Sequence, residues 1–381
     1  MKEKIARIII AIGLTILFLI VYTLNASTQI VKPNINNLTN GETLEYIDML
    51  IFISPQYSDD IEIKNAICSY ISAVKEDINW IIKIIDIEQN NNDYREIDKI
   101  IESYYDLYEI KACLMVGEDT DTALGGLNNY MKKPSLVPWF TTGREKSYEL
   151  SEHGIICKPY IMDICISLMY PTGALDYQTK KTQIMSAFNK FCNLRSISNN
   201  YNITVFEGSD INYFSKQMYQ NLQCFSNLYY QEDPTEEEIK TSLDESHLMY
   251  YVHGHSNPSG TDVNSNNSGW FSADNLDKID TPFFGADGCY VGGWWSDKSD
   301  SDDLCPSIDC LWYGSKIFSS ENIVVMALGM LSQNGFSYPV SFIENSIPGL
   351  LEGKTLAESM IGETCLGENI IIGDPTFHFD N

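Results

Sequence analysis

The chain has 381 residues, 44% of them hydrophobic and 12% aromatic, enough for one large domain or two ordinary ones with a sizeable core. A formal net charge of -27 argues against a nucleic-acid partner, because a phosphate backbone is met by Lys and Arg. The acidity reads instead as a well-solvated surface.

At the N-terminus, Lys2, Lys4 and Arg7 precede an unbroken apolar run from Ile8 to Leu24. The run is long for the core of a signal peptide and slightly short for a bilayer span. Residues 1–27 are therefore expected to be a signal peptide or an N-terminal membrane anchor, followed by a linker over 28–45. Basic residues stay on the cytoplasmic side, so the remainder is expected outside the cytoplasmic membrane, secreted or anchored there. Ten cysteines in an exported chain could form disulfides, but they are scattered, and only Cys305 and Cys310 sit close together. None of them has zinc spacing.

After the linker the pattern becomes regular. "YIDMLIFI" (46–53) reads as a strand buried on both faces, and Ile63, Ala66, Ile67, Tyr70, Ile71 and Val74 follow at helical spacing. "WIIKIIDI" is a second strand, Ile97 to Tyr108 mark a second helix, and "KACLMVGED" is a third strand. Strands alternating with helices predict a parallel sheet with right-handed crossovers. From about 120 to 165 the pattern loosens into loops. A helix is expected near 181–193, and "DPTEEEIKTSLDES" carries a capping signal for another. "HLMYYVHGH", "TPFFGADGCY", "NIVVMALG" and "NIIIGDP" then read as four further buried parallel strands.

Ligands of open parallel sheets bind beyond the carboxyl ends of the strands. "YYVHGH" and "FFGADGCYVGG" are consecutive strands on this reading, so His253 or His255 should meet Cys289. A cysteine needs help to ionise near neutral pH, and an imidazole supplies it as base or as stabilising cation. Gly254, following a histidine, would let its backbone N–H approach an oxyanion, and Gly288, Gly292 and Gly293 permit a tight turn around the cysteine. An HG dipeptide alone is usually a turn, and a buried cysteine alone is usually a small apolar residue. Their joint placement at two strand ends is more specific.

"YVHGHS", followed by "GADGCYVGG", resembles the His-Gly and Cys motifs of caspase-fold cysteine peptidases, and "CYVG" with the terminal "IIIGDPTFHF" is most similar to the gingipain family. The resemblance implies an α/β, caspase-like three-layer fold with a mostly parallel sheet and two α/β subdomains, over 46–160 and 161–381, the second being catalytic. It implies Cys289 as nucleophile and His253, the histidine followed by glycine, as its partner. The backbone N–H groups of Gly254 and Cys289 are implied as oxyanion donors. Gingipains that cut after arginine line that pocket with an acidic residue and an aromatic wall, positions that fall here on Glu145 and Phe336.

The expected activity is that of an extracytoplasmic cysteine endopeptidase working through an acyl-enzyme, acting on protein or peptide and cutting after basic residues if Glu145 and Phe336 line the pocket. No cofactor is expected. The acidic stretch "SDKSDSDD" (296–303) could bind calcium but lacks an EF-hand pattern and reads better as a solvated loop. Two rivals stay open: a transpeptidase or other acyl-transfer enzyme on the same dyad, and a membrane-tethered, inactive peptidase-like binding protein.

Overall fold

The computed structural model describes residues 46–87, 94–117, 148–151, 154–157, 160–169, 171, 176–195, 202–209, 228–257, 259–266, 268–288, 291, 313–329, 340–362, 364–365 and 369–379. The strands in chain order are β1 (Met49–Ile53), β2 (Ile82–Asp86), β3 (Ala112–Val116), β4 (Tyr148–Ser151), β5 (Gly154–Cys157), β6 (Tyr160–Ile161), β7 (Cys165–Met169), β8 (Ile203–Glu207), β9 (Leu228–Glu232), β10 (Met249–His253), β11 (His255–Asn257), β12 (Gly260–Asp262), β13 (Trp270–Ser272), β14 (Phe283–Asp287), β15 (Val325–Gly329), β16 (Thr364–Cys365) and β17 (Asn369–Gly373).

Ten of them form one sheet in the order β2-β1-β3-β7-β17-β15-β14-β10-β8-β9. Strands β1, β3, β7, β8, β10 and β14 are buried along their whole length, so both sheet faces are covered, as apolar parallel strands require. The two edge strands, β2 and β9, are only half-buried. Residues 46–381 form one compact unit. The boundary expected at 160/161 falls within β6, and β3 before it pairs with β7 after it, so the two expected subdomains share a single sheet.

Helix Ile61–Ile78 starts where Asp60 accepts the N–H groups of Glu62 and Ile63, and it ends at Asn79 in a left-handed conformation (φ 58°). Of the stripe read from the sequence, Ile63, Ala66, Ile67, Tyr70 and Val74 are buried, and Ile71 is partly buried against the same core. Tyr70 meets Phe188 and Phe191 of helix Tyr177–Asn193 at ring-centroid distances of 5.4 and 6.2 Å. The helix predicted from "DPTEEEIKTSLDES" covers Glu236–Leu243, with a reciprocal capping box between Thr235 and Glu238.

Two expectations need correction. The terminal strand β17 runs parallel to β7 but antiparallel to β15, so the last of the four predicted parallel strands is reversed against one neighbour. Apolar composition reports burial, not direction. The loops expected over 120–165 include the hairpin β4–β5, and β7 begins at the end of that stretch and lies at the centre of the sheet.

The "GDP" stretch after β17 is a structural knot. Asp374 accepts hydrogen bonds from Tyr70 (2.5 Å), the backbone and hydroxyl of Thr376 (2.8 and 2.6 Å) and Arg195 (2.7 Å). Arg195 also reaches Asp77 at 2.9 Å. Every carboxylate oxygen of the buried Asp374 is thereby satisfied, which is the condition for burying a charge at tolerable cost. Cys68, Cys113 and Cys192 are free thiols.

Candidate active site

Three parallel strands in register set the site. His253 ends β10, Glu207 ends β8 and Asp287 ends β14; His253 pairs with Glu207 on one side and with Asp287 on the other. Residues paired across parallel strands point to the same face, so the three side chains form a row with the imidazole in the middle. Glu207 is fully buried, and His253 and Asp287 are 4% and 3% exposed.

His253 Nδ1 lies 3.2 Å from Glu207 Oε1. An ionised carboxylate only accepts, so the contact places the proton on Nδ1 and leaves Nε2 for other work. Glu207 is held in turn by Tyr230 on β9, whose hydroxyl donates to Oε2 at 2.5 Å and reaches Glu232 at 3.1 Å. Burial and these two carboxylates push the Tyr230 hydroxyl far above its ordinary range, so it stays a donor. His253 Nε2 lies 3.7 Å from Asp287 Oδ2, a charge contact beyond hydrogen-bond length. Burial raises the Asp287 carboxyl to about 6, against the lowering influence of His253 and the Gly288 N–H.

The expected juxtaposition of strand ends is observed. β10 and β14 are neighbours, and a side chain on Gly288 would stand 2.3 Å from the Gly254 carbonyl oxygen and 2.1 Å from Ser256 Oγ. Gly288 has φ +152° and tolerates this approach because it has no Cβ. Its carbonyl accepts the Val291 N–H at 3.4 Å. Cys289, Glu145 and Phe336 lie outside the described residues, as do residues 296–303 and the segment Ile8 to Leu24.

Gly254 has two contacts that the sequence did not suggest. Its N–H donates to the Asp287 carbonyl at 3.2 Å, so the donor expected for an oxyanion is engaged in the sheet ladder. The glycine is required sterically: a Cβ at 254 would stand 1.9 Å from the Asp262 carbonyl oxygen. The two histidines separate clearly. His253 is buried in the row, whereas His255 is exposed and opens the small antiparallel sheet β11-β12-β13, opposite Asp262. A third, His247, is structural, with Nδ1 3.0 Å from Thr204 Oγ1 and Nε2 2.7 Å from the Ser242 carbonyl.

Glu207, Tyr230 and Asp287 were not singled out from the sequence. The signal for Glu207 exists: "ITVFEG" ends an apolar run in an acid and a glycine, as "FFGADG" does. Among the described residues no group of three or more His, Cys, Asp or Glu side chains is arranged to hold a metal ion. None of their helices is long and apolar enough to cross a membrane.

The mostly parallel ten-stranded sheet, covered on both faces, is a caspase-like α/β fold. Solved structures similar to it include the crystal structure of the Arg-specific cysteine proteinase gingipain R (RgpB), 11% identical, with a TM-score of 0.57 over 88% of this chain and 79% of that one. The complex of the pro- and mature domains of RgpB from Porphyromonas gingivalis is similar to the same degree, at 11% identity and a TM-score of 0.57 over 87% of this chain and 79% of the other. A third, described as a protease, is 9% identical with a TM-score of 0.52 over 90% and 80%. At such identities the likeness is one of fold alone. No family model matches the sequence, and no curated protein sequence does either.

Proposed function

We propose that the protein is a cysteine endopeptidase with Cys289 as nucleophile and His253 as its acid–base partner, oriented by Glu207. The observation that carries this reading is the row Glu207–His253–Asp287 at the carboxyl end of the sheet, ending two residues before Cys289. Gly288, the residue that precedes Cys289 in the chain, closely approaches the Gly254 carbonyl.

In this reading the Cys289 thiolate attacks the scissile carbonyl carbon and an S–C bond forms. The oxygen takes up negative charge facing the Cys289 N–H; the Gly254 N–H would join it only by leaving its ladder partner. His253 gives its Nε2 proton to the amine as the C–N bond breaks. Water then attacks the acyl-enzyme, His253 takes its proton, and the S–C bond breaks. Glu207 holds the ring in the tautomer both steps need.

The substrate is proposed to be a polypeptide cut after Arg or Lys, with Glu145 and Phe336 lining the pocket. A buried carboxylate left unpaired by a neutral side chain would supply the discrimination. The catalytic part is proposed to lie outside the cytoplasmic membrane, on the strength of Lys2, Lys4 and Arg7 before the run Ile8 to Leu24.

Incubating the full chain with a peptide library, reading products by mass spectrometry, tests activity and specificity together. Cleavage that disappears in Cys289→Ala and concentrates after basic residues supports the proposal. Products joined to an added amine would point to acyl transfer. Absence of turnover and of labelling at Cys289 by an electrophilic peptide would leave a binding protein on this scaffold. N-terminal sequencing of the mature protein and fractionation decide between anchor and signal peptide; a chain with an intact Met1 end that fractionates wholly with the soluble cytoplasm, with no membrane association, would refute both.

A further inference from the structure

Asp287 is a buried carboxylate that the mechanism above does not use. Among the described residues its Oδ1 has no hydrogen-bond partner, and its Oδ2 faces His253 Nε2 at 3.7 Å. A buried acceptor left unsatisfied is costly, and native structures rarely keep one without a reason. An asparagine or a valine would fill the same strand position without burying a charge. The retained acid sits on the one ring nitrogen that Glu207 does not engage.

We propose that Asp287 is a second positioning residue for His253, holding the imidazole charged from the Nε2 side as Glu207 holds it from Nδ1. This rests on the reading of His253 as the catalytic histidine. A ring between two carboxylates keeps its second proton to a higher pH than a ring facing one. That proton is the one delivered to the leaving amine, so Asp287 widens the pH range over which the acid form exists. The wider gap, 3.7 Å against 3.2 Å, suits the role: Asp287 attracts Nε2 from beyond hydrogen-bond length, so it does not itself lock that nitrogen.

The surrounding titratable groups belong to identified elements. β8 presents Glu207, and β9 presents Tyr230 with Glu232 behind it. On β10 the Tyr251 ring lies 6.5 Å from the imidazole. β11 and β12 contribute His255 and Asp262, while the β15 residues paired with the end of β14, Ala327 and Leu328, are uncharged. Among the described residues, Glu207 and Asp287 are carboxylates within ion-pair reach of the ring nitrogens, at 3.2 and 3.7 Å.

The test is an NMR titration of the histidine rings in the full chain, with the His253 signal identified by its loss in His253→Ala. Asp287→Asn, which keeps the shape, should lower the His253 midpoint by about one pH unit, and Asp287→Glu should restore part of it. In the unsubstituted chain the His253 signal should show a second inflection as Asp287 titrates. An unchanged midpoint in folded Asp287→Asn overturns the proposal. If that variant does not fold, a single-site curve for unsubstituted His253 overturns it, and two inflections support it. Because the titration needs no turnover, it stands or falls separately from peptidase activity.

Discussion

Glu207 and His253 occupy paired positions on adjacent parallel strands, and the carboxylate meets the ring Nδ1 at 3.2 Å. The strand register, rather than a flexible loop, fixes the orientation of the imidazole. Replacing Glu207 with Gln keeps the size but offers Nδ1 an amide that can present either a donor or an acceptor. In a serine-protease triad the corresponding acid-to-amide change costs on the order of 10⁴ in kcat through the wrong tautomer. Glu207→Gln is expected to lower kcat by roughly 10²–10⁴ with KM little changed. Steady-state kinetics on the cleaved peptide measure it, and a change confined to KM would argue against orientation as the role of Glu207.

The two neighbouring histidines should behave differently. His253→Ala should reduce kcat/KM by about 10²–10⁴, the usual contribution of a positioned acid–base group, while His255→Ala should keep a substantial fraction of activity. Equal losses in purified variants of equal stability would remove the assignment that burial and the contact with Glu207 support.

Gly254→Ala should act through stability. Its new methyl group would stand 1.9 Å from the Asp262 carbonyl oxygen, so β12 or the end of β10 must shift. Overpacking of this kind costs about 1–3 kcal/mol, and thermal or urea unfolding should show it. A variant of normal stability that has lost acylation would instead show that the Gly254 N–H leaves its ladder partner during catalysis.

Asp287 makes stability depend on pH, with a definite sign. Its carboxyl is raised to about 6 in the fold from an ordinary value of 3.8. The folded state therefore holds this proton more tightly than the unfolded state. The associated stability is present below about pH 4 and is lost as pH rises towards 6. Two units correspond to at most about 3 kcal/mol. Asp287→Asn should remove that slope and be more stable than the parent above pH 6, by urea unfolding at several pH values. A parent slope unchanged by the substitution would show that Asp287 is not the titrating group.

The histidine, its strand and the neighbouring strand carrying Gly288 were legible because each is a continuous apolar run ending in small residues. β7 and β8 were not. "CISLM" and "ITVFE" interrupt their apolar residues with Ser167 and Thr204, which look like loop chemistry in one dimension. In the fold, Ser167 Oγ donates to the Gly373 carbonyl at 2.7 Å and Thr204 Oγ1 meets His247 Nδ1 at 3.0 Å. Partners more than 40 residues away make these hydroxyls acceptable in a buried strand. Missing β8 meant missing Glu207, which stands at its end. Gly254 was singled out for an oxyanion; the approach of Asp262, which also demands a glycine there, is a tertiary contact that local sequence does not encode.

β17 separates β7 from β15 and pairs with both, although it is the last strand of the sheet to be synthesised. During translation the strands on its two sides have no direct ladder between them. The half bearing His253 and the half built on β1 and β3 can each collapse early, but their strand ladders can be joined into one sheet only once Gly373 has been made. Such late, long-range closure slows folding and exposes two unpaired strand edges while it is pending. It also gives a simple order of events on the ribosome: a nascent chain interrupted before Asn369 would present two sheets with open edges, prone to pairing with other chains.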